Sequence, residues 1–169
     1  MNIVEAYIKF NNQLIIIVSG LSGSGKTKIA TSIAKLFKIN HINIDSHCVT
    51  DHNITVKLPN DVIVKDWDHI DSYDWEKINN EINKNKKNGI VICGQYLPKD
   101  KLKFETDFHI HVKISKQQLI ENRRQYVKNN PEKCKDIVEF INTPTETMII
   151  NQIVFPHYLD YLEKSKVDK

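Results

Sequence analysis

The segment from Leu14 to Phe37, LIIIVSGLSGSGKTKIATSIAKLF, decides how the rest of the chain is interpreted. It opens with an unbroken aliphatic run, Leu14 to Val18, which is typical of a strand buried on both faces of a parallel sheet. Apolar residues then recur at helical spacing from Lys26 to Phe37, which predicts an amphipathic helix. The glycine-rich residues between the two parts therefore connect a strand directly to a helix.

These connecting residues match the pattern G-x-x-x-x-G-K-[ST], which describes a loop that binds nucleotide phosphates when it lies between a strand and a helix. Three of the five glycines in the chain fall within these eight residues, where the backbone must turn sharply and direct N–H groups at phosphate oxygens. We expect Lys26 to contact the β- and γ-phosphates and the Thr27 hydroxyl to hold Mg²⁺. The alternative is a flexible glycine turn that precedes Lys-Thr by chance. The predicted nucleotide-binding residues are Gly20, Leu21, Ser22, Gly23, Ser24, Gly25, Lys26 and Thr27.

The bulk composition is that of one globular unit. The 169 residues are 40% hydrophobic and 27% charged, close to the averages of soluble proteins. Met1 to Phe10 has no basic start and no long apolar centre, and no apolar run reaches the roughly 20 residues that cross a bilayer, so we expect no membrane partner. The cysteines form no C-x-x-C pair, which favours a reducing, cytoplasmic location. The net charge of +3 is carried by scattered lysines, so we expect no nucleic-acid partner.

Further strands and helices alternate along the chain. Strands are predicted at His41–Ile44, Val62–Val64, Ile90–Cys93 and Phe108–Ile114, and helices at Asp74–Asn88, Ser115–Lys128 and from Thr143 onward. Such alternation requires right-handed crossovers and predicts an α/β fold: a three-layer parallel sheet of the P-loop NTPase type with helices on both faces. Pro156 should interrupt the last helix.

Signatures of other nucleotide-binding classes are missing from the sequence. Ile90–Cys93 lacks the terminal acidic pair that ATP-driven machines carry on the corresponding strand. No D-x-x-G follows the phosphate-binding loop, and no N-K-x-D guanine-reading segment occurs. A small phosphotransferase remains as the interpretation.

Five spaced segments carry a resemblance to one family of such enzymes: Gly20–Thr27, Ile44–His47, Trp67–Asp74, Asn122–Arg124 and Phe155–Leu159. They resemble, in that order, the opening motif, the Asp-Ser-Phe-Tyr segment, the Phe-Asp-His-Pro-Asp-Ala-Phe-Asp segment, the arginine-bearing lid and the C-terminal helix of the uridine kinase family and its nicotinamide riboside kinase relatives. These P-loop kinases phosphorylate the 5′-hydroxyl of a nucleoside. The resemblance therefore implies ATP and Mg²⁺ as cofactors and a nucleoside-like small molecule as the second partner.

The chain departs from the family pattern at two places. Where the family has a glutamate at the end of the strand before its conserved glycine, this chain has Cys93 before Gly94, so Mg²⁺ coordination in the family's form is not expected. The lid carries Lys128, Lys133 and Lys135 where the family has further arginines.

We predict one P-loop kinase-like domain over residues 1–169, with residues 115–142 as a candidate lid. Residues 1–13 form an N-terminal arm, in which Tyr7–Phe10 can form a hairpin with the first strand through Asn11-Asn12. A central strand already has both edges paired, so the placement of this arm stays open.

The candidate catalytic residues are Asp45, Lys26, Arg123 and Arg124. Asp45 ends an apolar strand, and ligand sites of open parallel sheets lie at the carboxyl ends of strands. A carboxylate there can accept the proton of the attacking hydroxyl and, together with Thr27, hold the metal; the alternative is an ordinary turn aspartate. One arginine of the predicted helix can face the triphosphate in the transition state, although a solvated helix face is the simpler interpretation of the pair.

The candidate substrate residues are Asp68, His47, Tyr73 and Tyr96. The resemblance implies that Asp68 accepts hydrogen bonds from both hydroxyls of a ribose, whereas in isolation a solvated aspartate is the simpler interpretation because aspartates crowd this segment. The two tyrosines can present ring faces to a base, but aromatic residues at such spacing more often pack in the core. His47 can contact the base or the sugar.

The first functional hypothesis is an ATP-dependent kinase of a nucleoside-like molecule of the uridine, cytidine or nicotinamide riboside type. A nucleoside monophosphate kinase is the alternative among enzymes, but its phosphorylated acceptor favours arginines after the second strand, and Ser46 to Asp74 contains none. A catalytically degenerate nucleotide-binding regulatory protein is the alternative from another class, and Cys93 keeps it open.

Overall fold

The computed structural model of the protein describes residues 1–165. The strands are β1 (Ile15–Gly20), β2 (Asn40–Asn43), β3 (Thr55–Lys57), β4 (Ile63–Lys65), β5 (Ile90–Gly94) and β6 (Phe108–Val112). The helices are α1 (Ile3–Asn11), α2 (Lys26–Phe37), α3 (Trp75–Asn85), α4 (Lys116–Asn129), α5 (Lys135–Val138), α6 (Pro144–Ile149) and α7 (Phe155–Ser165). Short 3₁₀ turns occur at Ile44–His47, Ile70–Ser72, Lys86–Asn88 and Pro131–Lys133, and a π-helical turn spans Ile150–Val154.

The central sheet has four parallel strands in the order β2-β5-β1-β6, and β3 pairs with β4 in a separate antiparallel hairpin. All residues of β1 are buried because both faces are covered. On one face, Ile15 and Ile17 pack with Ile78 and Ile82 of α3. On the other face, residues such as Ile16 and Val18 pack with Ala30 and Ala34 of α2. A strand in this position must be continuously apolar, and the predicted three-layer α/β fold is confirmed.

The N-terminal arm is a helix, so the predicted hairpin of Tyr7–Phe10 with the first strand is wrong. The Asn2 side chain accepts a hydrogen bond from the Glu5 N–H, and the Glu5 carboxylate accepts one from the Asn2 N–H, which together cap the start of α1. Asn12 takes a left-handed conformation, with φ of 61°, and ends the helix instead of forming a hairpin turn. The physical reason is that β5 and β6 occupy both edges of β1. The arm packs instead on the α2 side of the sheet.

The C-terminal region is irregular at the place where the proline predicted an interruption. The α-helical hydrogen bonding stops after α6, continues as the π-helical turn and resumes at Phe155, immediately before Pro156. Since Pro156 has no N–H to donate, the preceding turn cannot keep the α-helical pattern. Ile153 of this turn packs against Leu58 and Val64, which holds the hairpin β3–β4 to the C-terminal region.

A chain of polar side chains joins β1 and β6 to α7. The Ser19 hydroxyl lies 2.7 Å from His109 Nε2 and 2.8 Å from His111 Nδ1, and His111 Nε2 lies 2.9 Å from the Tyr158 hydroxyl. Burial lowers the pKa of His109 to about 4, with a smaller effect of the neighbouring His111. The rings of His109 and His111 are therefore neutral near pH 7. Their contacts with Ser19 fix the end of β1 one residue before the phosphate-binding loop begins.

We expect the stability of the protein to fall between pH 6.5 and pH 4, and His109→Gln to reduce that fall. His109 has its ordinary pKa of 6.5 when unfolded but about 4 when folded, so the unfolded state binds more protons in this interval. Each pH unit between the two values is worth about 1.4 kcal/mol, which limits the effect of this one ring to about 3 kcal/mol. Urea unfolding of both proteins at pH 7, 5 and 4 measures it. Parallel pH curves for the two proteins would contradict this electrostatic role.

Candidate active site

The loop from Gly20 to Thr27 joins β1 to α2 at the carboxyl edge of the sheet. A Cβ on Gly20 would lie 2.7 Å from the Val112 carbonyl oxygen, so only glycine fits between β1 and β6. Gly23 and Gly25 have φ of 83° and 88°, a region that side chains with a Cβ disfavour. Gly25 is also the N-cap of α2, so the N-terminus of that helix opens toward the loop.

The loop contains polar groups that lack partners suited to them. The Ser24 hydroxyl is buried without a hydrogen-bond partner among the described residues. The Lys26 side chain is 6% exposed, and its ion pair from Nζ to the Asp45 carboxylate is long at 3.7 Å. A buried ammonium, an unpaired hydroxyl and a helix N-terminus together fit a polyphosphate anion. The residues of the loop therefore fit ATP.

A cleft of about 940 Å³ lies between this loop, the hairpin β3–β4 and residues of the candidate lid. Asp45, Asp68, Tyr73, Gln95 and Arg123 all contribute to its lining. Four of these five are residues that the sequence predicted for the site, although they are up to 78 positions apart in the chain. Asp45 and Gln95 lie there because they follow the carboxyl ends of β2 and β5, whereas Arg123 comes from α4.

Asp45 lies in the 3₁₀ turn that follows β2. The Asn43 side chain accepts a hydrogen bond of 3.0 Å from the Asp45 N–H, which orients the start of this turn. The Asp45 carboxylate is 40% exposed and faces the ammonium of Lys26. It is therefore accessible from the cleft and has capacity to accept further hydrogen bonds.

Asp68 belongs to a packed acidic segment and not to a solvated loop. The Gln95 amide donates a hydrogen bond to Asp68 Oδ1, and the Asp66 carboxylate accepts one of 3.1 Å from the Asp68 N–H. Burial raises the pKa of Asp68, and the charge of Arg123 and the Gln95 hydrogen bond oppose that rise. Asp66 is itself buried and pairs with His157 at 2.8 Å, which raises the pKa of that ring.

The two predicted arginines have different surroundings. Arg123 lines the cleft. Arg124 donates from Nε and Nη2 to the buried Glu146 carboxylate at the start of α6, at 3.0 and 2.6 Å to the same oxygen. The N–H of Asn142 donates to that oxygen as well. Arg124 does not line the cleft. Its ion pair with Glu146 connects α4 to α6.

Of the remaining predicted substrate residues, one lines the cleft and two do not. The His47 side chain is 8% exposed and lies 2.9 Å from the Glu81 carboxylate on α3, outside the cleft lining. Tyr73 lines the cleft but is largely buried in the core below it. Tyr96 is buried, donates to the Val154 carbonyl oxygen at 3.3 Å and lines a second cavity of about 250 Å³, which also borders Asp68.

Two residues at the site were not predicted. Asn122 on α4 donates a hydrogen bond of 2.6 Å to the Gly23 carbonyl oxygen and so holds the loop from the lid side. No local signal indicates a contact between residues 99 positions apart. Gln95 could have been found, because it directly follows β5 and the carboxyl ends of parallel strands lie at the ligand-binding edge.

The expected metal position contains a mixture of donors. The Thr27 hydroxyl and the Asp45 carboxylate are oxygen donors of the kind that Mg²⁺ prefers. The Cys93 Sγ lies 3.9 Å from Thr27 Oγ1, and burial raises the pKa of this thiol. Thr27 and Asp45 thus fit Mg²⁺, whereas Cys93 does not, so phosphate oxygens and water would have to complete its coordination.

Among known proteins, a solved kinase structure shares the architecture of this chain. No protein-family model and no curated protein sequence matches the chain. A solved structure of a candidate fructose transport system kinase from Silicibacter sp. TM1040 superimposes with a TM-score of 0.59 at 10% identity, over 98% of this chain and 96% of that one. The chain has a P-loop NTPase fold. A candidate uridine kinase from Bacillus stearothermophilus gives a TM-score of 0.46 at 14% identity, over 83% of this chain and 95% of that one. At these identities the likeness concerns the fold alone.

Over the described residues, no helix has the length and apolar character needed to span a membrane.

We expect Arg124→Gln to lower the free energy of unfolding measurably, because the buried Glu146 carboxylate would lose its two guanidinium donors. Lys128→Gln, an exposed change on the same helix, is the control and should change stability by less than about 0.5 kcal/mol. Urea unfolding of the three proteins measures both effects. Equal stabilities would show that the pair does not connect α4 to α6.

Proposed function

We propose that the protein is an ATP-dependent phosphotransferase that transfers the γ-phosphoryl group to a hydroxyl of a nucleoside-like small molecule of the uridine, cytidine or nicotinamide riboside type. The observation that carries the proposal is that Asp45, paired with the loop lysine, and Asp68, paired with Gln95, open into one cleft. The first pair suits the phosphate donor, and the second suits a hydroxyl-rich acceptor. A cytoplasmic location belongs to the proposal, since the thiols would stay reduced there.

The donor side of the reaction depends on charge compensation. Lys26 and the N-terminus of α2 balance the charge of the β- and γ-phosphates, and Arg123 offsets the charge that spreads over the transferring group. Thr27 and Asp45 would hold Mg²⁺, which neutralises charge between the phosphate oxygens. Since only one arginine reaches the cleft, we assign this role to Arg123 and a connecting role to Arg124.

On the acceptor side, Asp45 orients the attacking hydroxyl and accepts its proton. Its carboxylate is 40% exposed, and its ion pair with Lys26 is long enough to leave lone pairs available. Asp68 accepts hydrogen bonds from a vicinal diol, and Gln95 holds its carboxylate in one orientation. Tyr73 contributes packing below the acceptor, and Tyr96 borders Asp68 from the adjoining cavity.

A phosphorylated acceptor, as in a nucleoside monophosphate kinase, is less well supported. Two lysines, Lys65 and Lys133, line the cleft, and Lys65 donates to the Thr50 carbonyl oxygen at 2.7 Å and lies 4.7 Å from the centre of the Trp67 ring. These contacts leave it poorly placed to bind an acceptor phosphate. A protein that binds nucleotide without turnover is the other alternative, and it requires that no acceptor be phosphorylated.

A mass-spectrometric screen tests the proposal directly. The protein is incubated with ATP, Mg²⁺ and, separately, nucleosides, nucleoside monophosphates and nicotinamide riboside. A phosphorylated product from a nucleoside or from nicotinamide riboside supports the proposal. A product from a monophosphate alone favours the nucleotide kinase, and no product from any acceptor, despite measurable ATP binding, favours the regulatory protein.

We expect Asp68→Asn to raise the acceptor KM about 10- to 100-fold and to remove a preference for ribose over 2′-deoxyribose, because the neutral amide accepts the two hydroxyl hydrogens poorly. Asp71→Asn is the matched control, since Asp71 lies in the same segment and is 59% exposed. Steady-state kinetics on paired ribose and deoxyribose substrates measure the effect. If the unchanged protein uses both sugars equally well, Asp68 does not recognise the diol.

A further inference from the structure

The middle of α4 is in direct contact with the phosphate-binding loop. The Asn122 side-chain amide donates a hydrogen bond of 2.6 Å to the Gly23 carbonyl oxygen. The Gln118 amide, one turn earlier, donates one of 2.8 Å to Asn122 Oδ1, so the nitrogen end of the Asn122 amide is the end that faces the loop. A Cβ on Gly23 would lie 2.8 Å from the Asn122 Cβ. Glycine at this position therefore allows α4 to approach the loop this closely.

The peptide group between Gly23 and Ser24 is held at both of its polar atoms. Asn122 binds the carbonyl oxygen, and the Ser24 N–H donates to the Leu21 carbonyl oxygen at 3.0 Å. Because a peptide group is planar, these two bonds fix its orientation. The hydrogen bond from Asn122 thus ties α4 to a part of the loop that is itself held in place.

Arg123 is the next residue of α4, and both of its neighbours in the chain are anchored. Asn122 binds the loop, and Arg124 pairs with a carboxylate of α6. Arg123 itself lines the cleft together with Ser22 of the loop and Asp68. Adjacent residues of a helix share one hydrogen-bonded backbone. A shift of Asn122 relative to the loop would therefore move Arg123 relative to the nucleotide phosphates.

We propose that Asn122 is a positioning residue of the nucleotide site: by holding α4 against the Gly23 carbonyl, it places the Arg123 guanidinium beside the γ-phosphate of bound ATP. The inference rests on the nucleotide-binding half of the proposed function. Arg123 contacts a phosphate that ADP lacks, whereas the loop and Lys26 also bind the β-phosphate that ATP and ADP share. Asn122 acts through Arg123 and contributes to recognition of the third phosphate.

Asn122→Leu tests this role, because leucine has a similar size and cannot donate a hydrogen bond. Calorimetric titration gives the affinities for a non-hydrolysable ATP analogue and for ADP, each with Mg²⁺. We expect the preference for the ATP analogue over ADP to fall at least about threefold, within the range of one hydrogen bond, while ADP affinity changes less than about twofold. Gln125→Leu is the matched control, since Gln125 is an exposed amide of the same helix that bonds Asn129. It should leave both affinities unchanged.

A double substitution shows whether Asn122 acts through Arg123. Arg123→Gln alone should lower the preference for the ATP analogue about tenfold or more, because it removes a charged donor. Adding Asn122→Leu to that variant should lower the preference no further, because no guanidinium remains to be positioned. Additive losses, or an unchanged preference in Arg123→Gln, would overturn the positioning role.

A role in loop structure alone gives a different pattern of affinities. A disturbed loop would bind ADP and the ATP analogue equally poorly, so equal losses for the two nucleotides in Asn122→Leu would overturn the inference, as would two unchanged affinities. Circular dichroism establishes that each variant is folded. Asn122→Asp replaces the leucine variant if that protein fails to fold, since a carboxylate has the same shape as the amide but no N–H. Its preference for the ATP analogue should fall at least as far.

None of these measurements requires an acceptor or turnover. A preference that falls in Asn122→Leu, combined with an acceptor screen that yields no product, would support the positioning role and contradict the phosphotransferase proposal. A phosphorylated product, combined with additive losses in the double variant, would do the reverse.

Discussion

The burial of β1 on all sides is the constraint on which the rest of the structure depends. Helices cover both of its faces and parallel strands occupy both of its edges. Because a packed core leaves little free space, the last residue of β1 has a fixed position. The phosphate-binding loop starts from that residue. Ser19 hydrogen-bonds to the histidines of β6, and Gly20 lies against the Val112 carbonyl. These contacts restrain the first residues of the loop relative to the core. The same constraint excluded the N-terminal arm from the sheet and left α1 to pack on its surface.

Charge pairing is the second organising feature of the site. Buried ionic groups are stable only when they are compensated, and two buried carboxylates and one half-buried carboxylate in this region have partners. Asp66 pairs with His157, Glu146 pairs with Arg124, and Asp68 accepts from Gln95 within the influence of Arg123. Lys26 is paired more loosely, because its ion pair with the 40% exposed Asp45 carboxylate is 3.7 Å long. This long pair leaves the buried ammonium available to the phosphates that we predict beside it.

The parts of the structure that the sequence predicted depend on local patterns. The apolar run before Gly20, the glycine spacing of the loop and the helical periodicity after it are each contained in a few residues, and the fold follows from them. The second strand ends at Asn43, one residue before the predicted end, and Asp45 lies in the turn that follows it. Asp68 and Arg123 line the same cleft as Asp45. The contacts that were missed join distant segments: Asn122 to Gly23, Arg124 to Glu146 and His41 to Cys93. Periodicity carries no information about such pairs. The helix at the N-terminus is a different case, since the capping pair Asn2 and Glu5 was visible in the sequence.

Calorimetric titration of the protein with a non-hydrolysable ATP analogue and Mg²⁺, compared with Lys26→Met, tests most directly whether the loop is a phosphate-binding site. Methionine keeps the apolar stem of the buried side chain and removes the charge. A hydrogen bond to a charged group contributes about 1.5–3 kcal/mol, so one-to-one binding should weaken roughly tenfold to a hundredfold in the variant. Equal affinity in the two folded proteins, or no binding to the unchanged protein at millimolar analogue, would contradict the assignment of this loop to nucleotide phosphates.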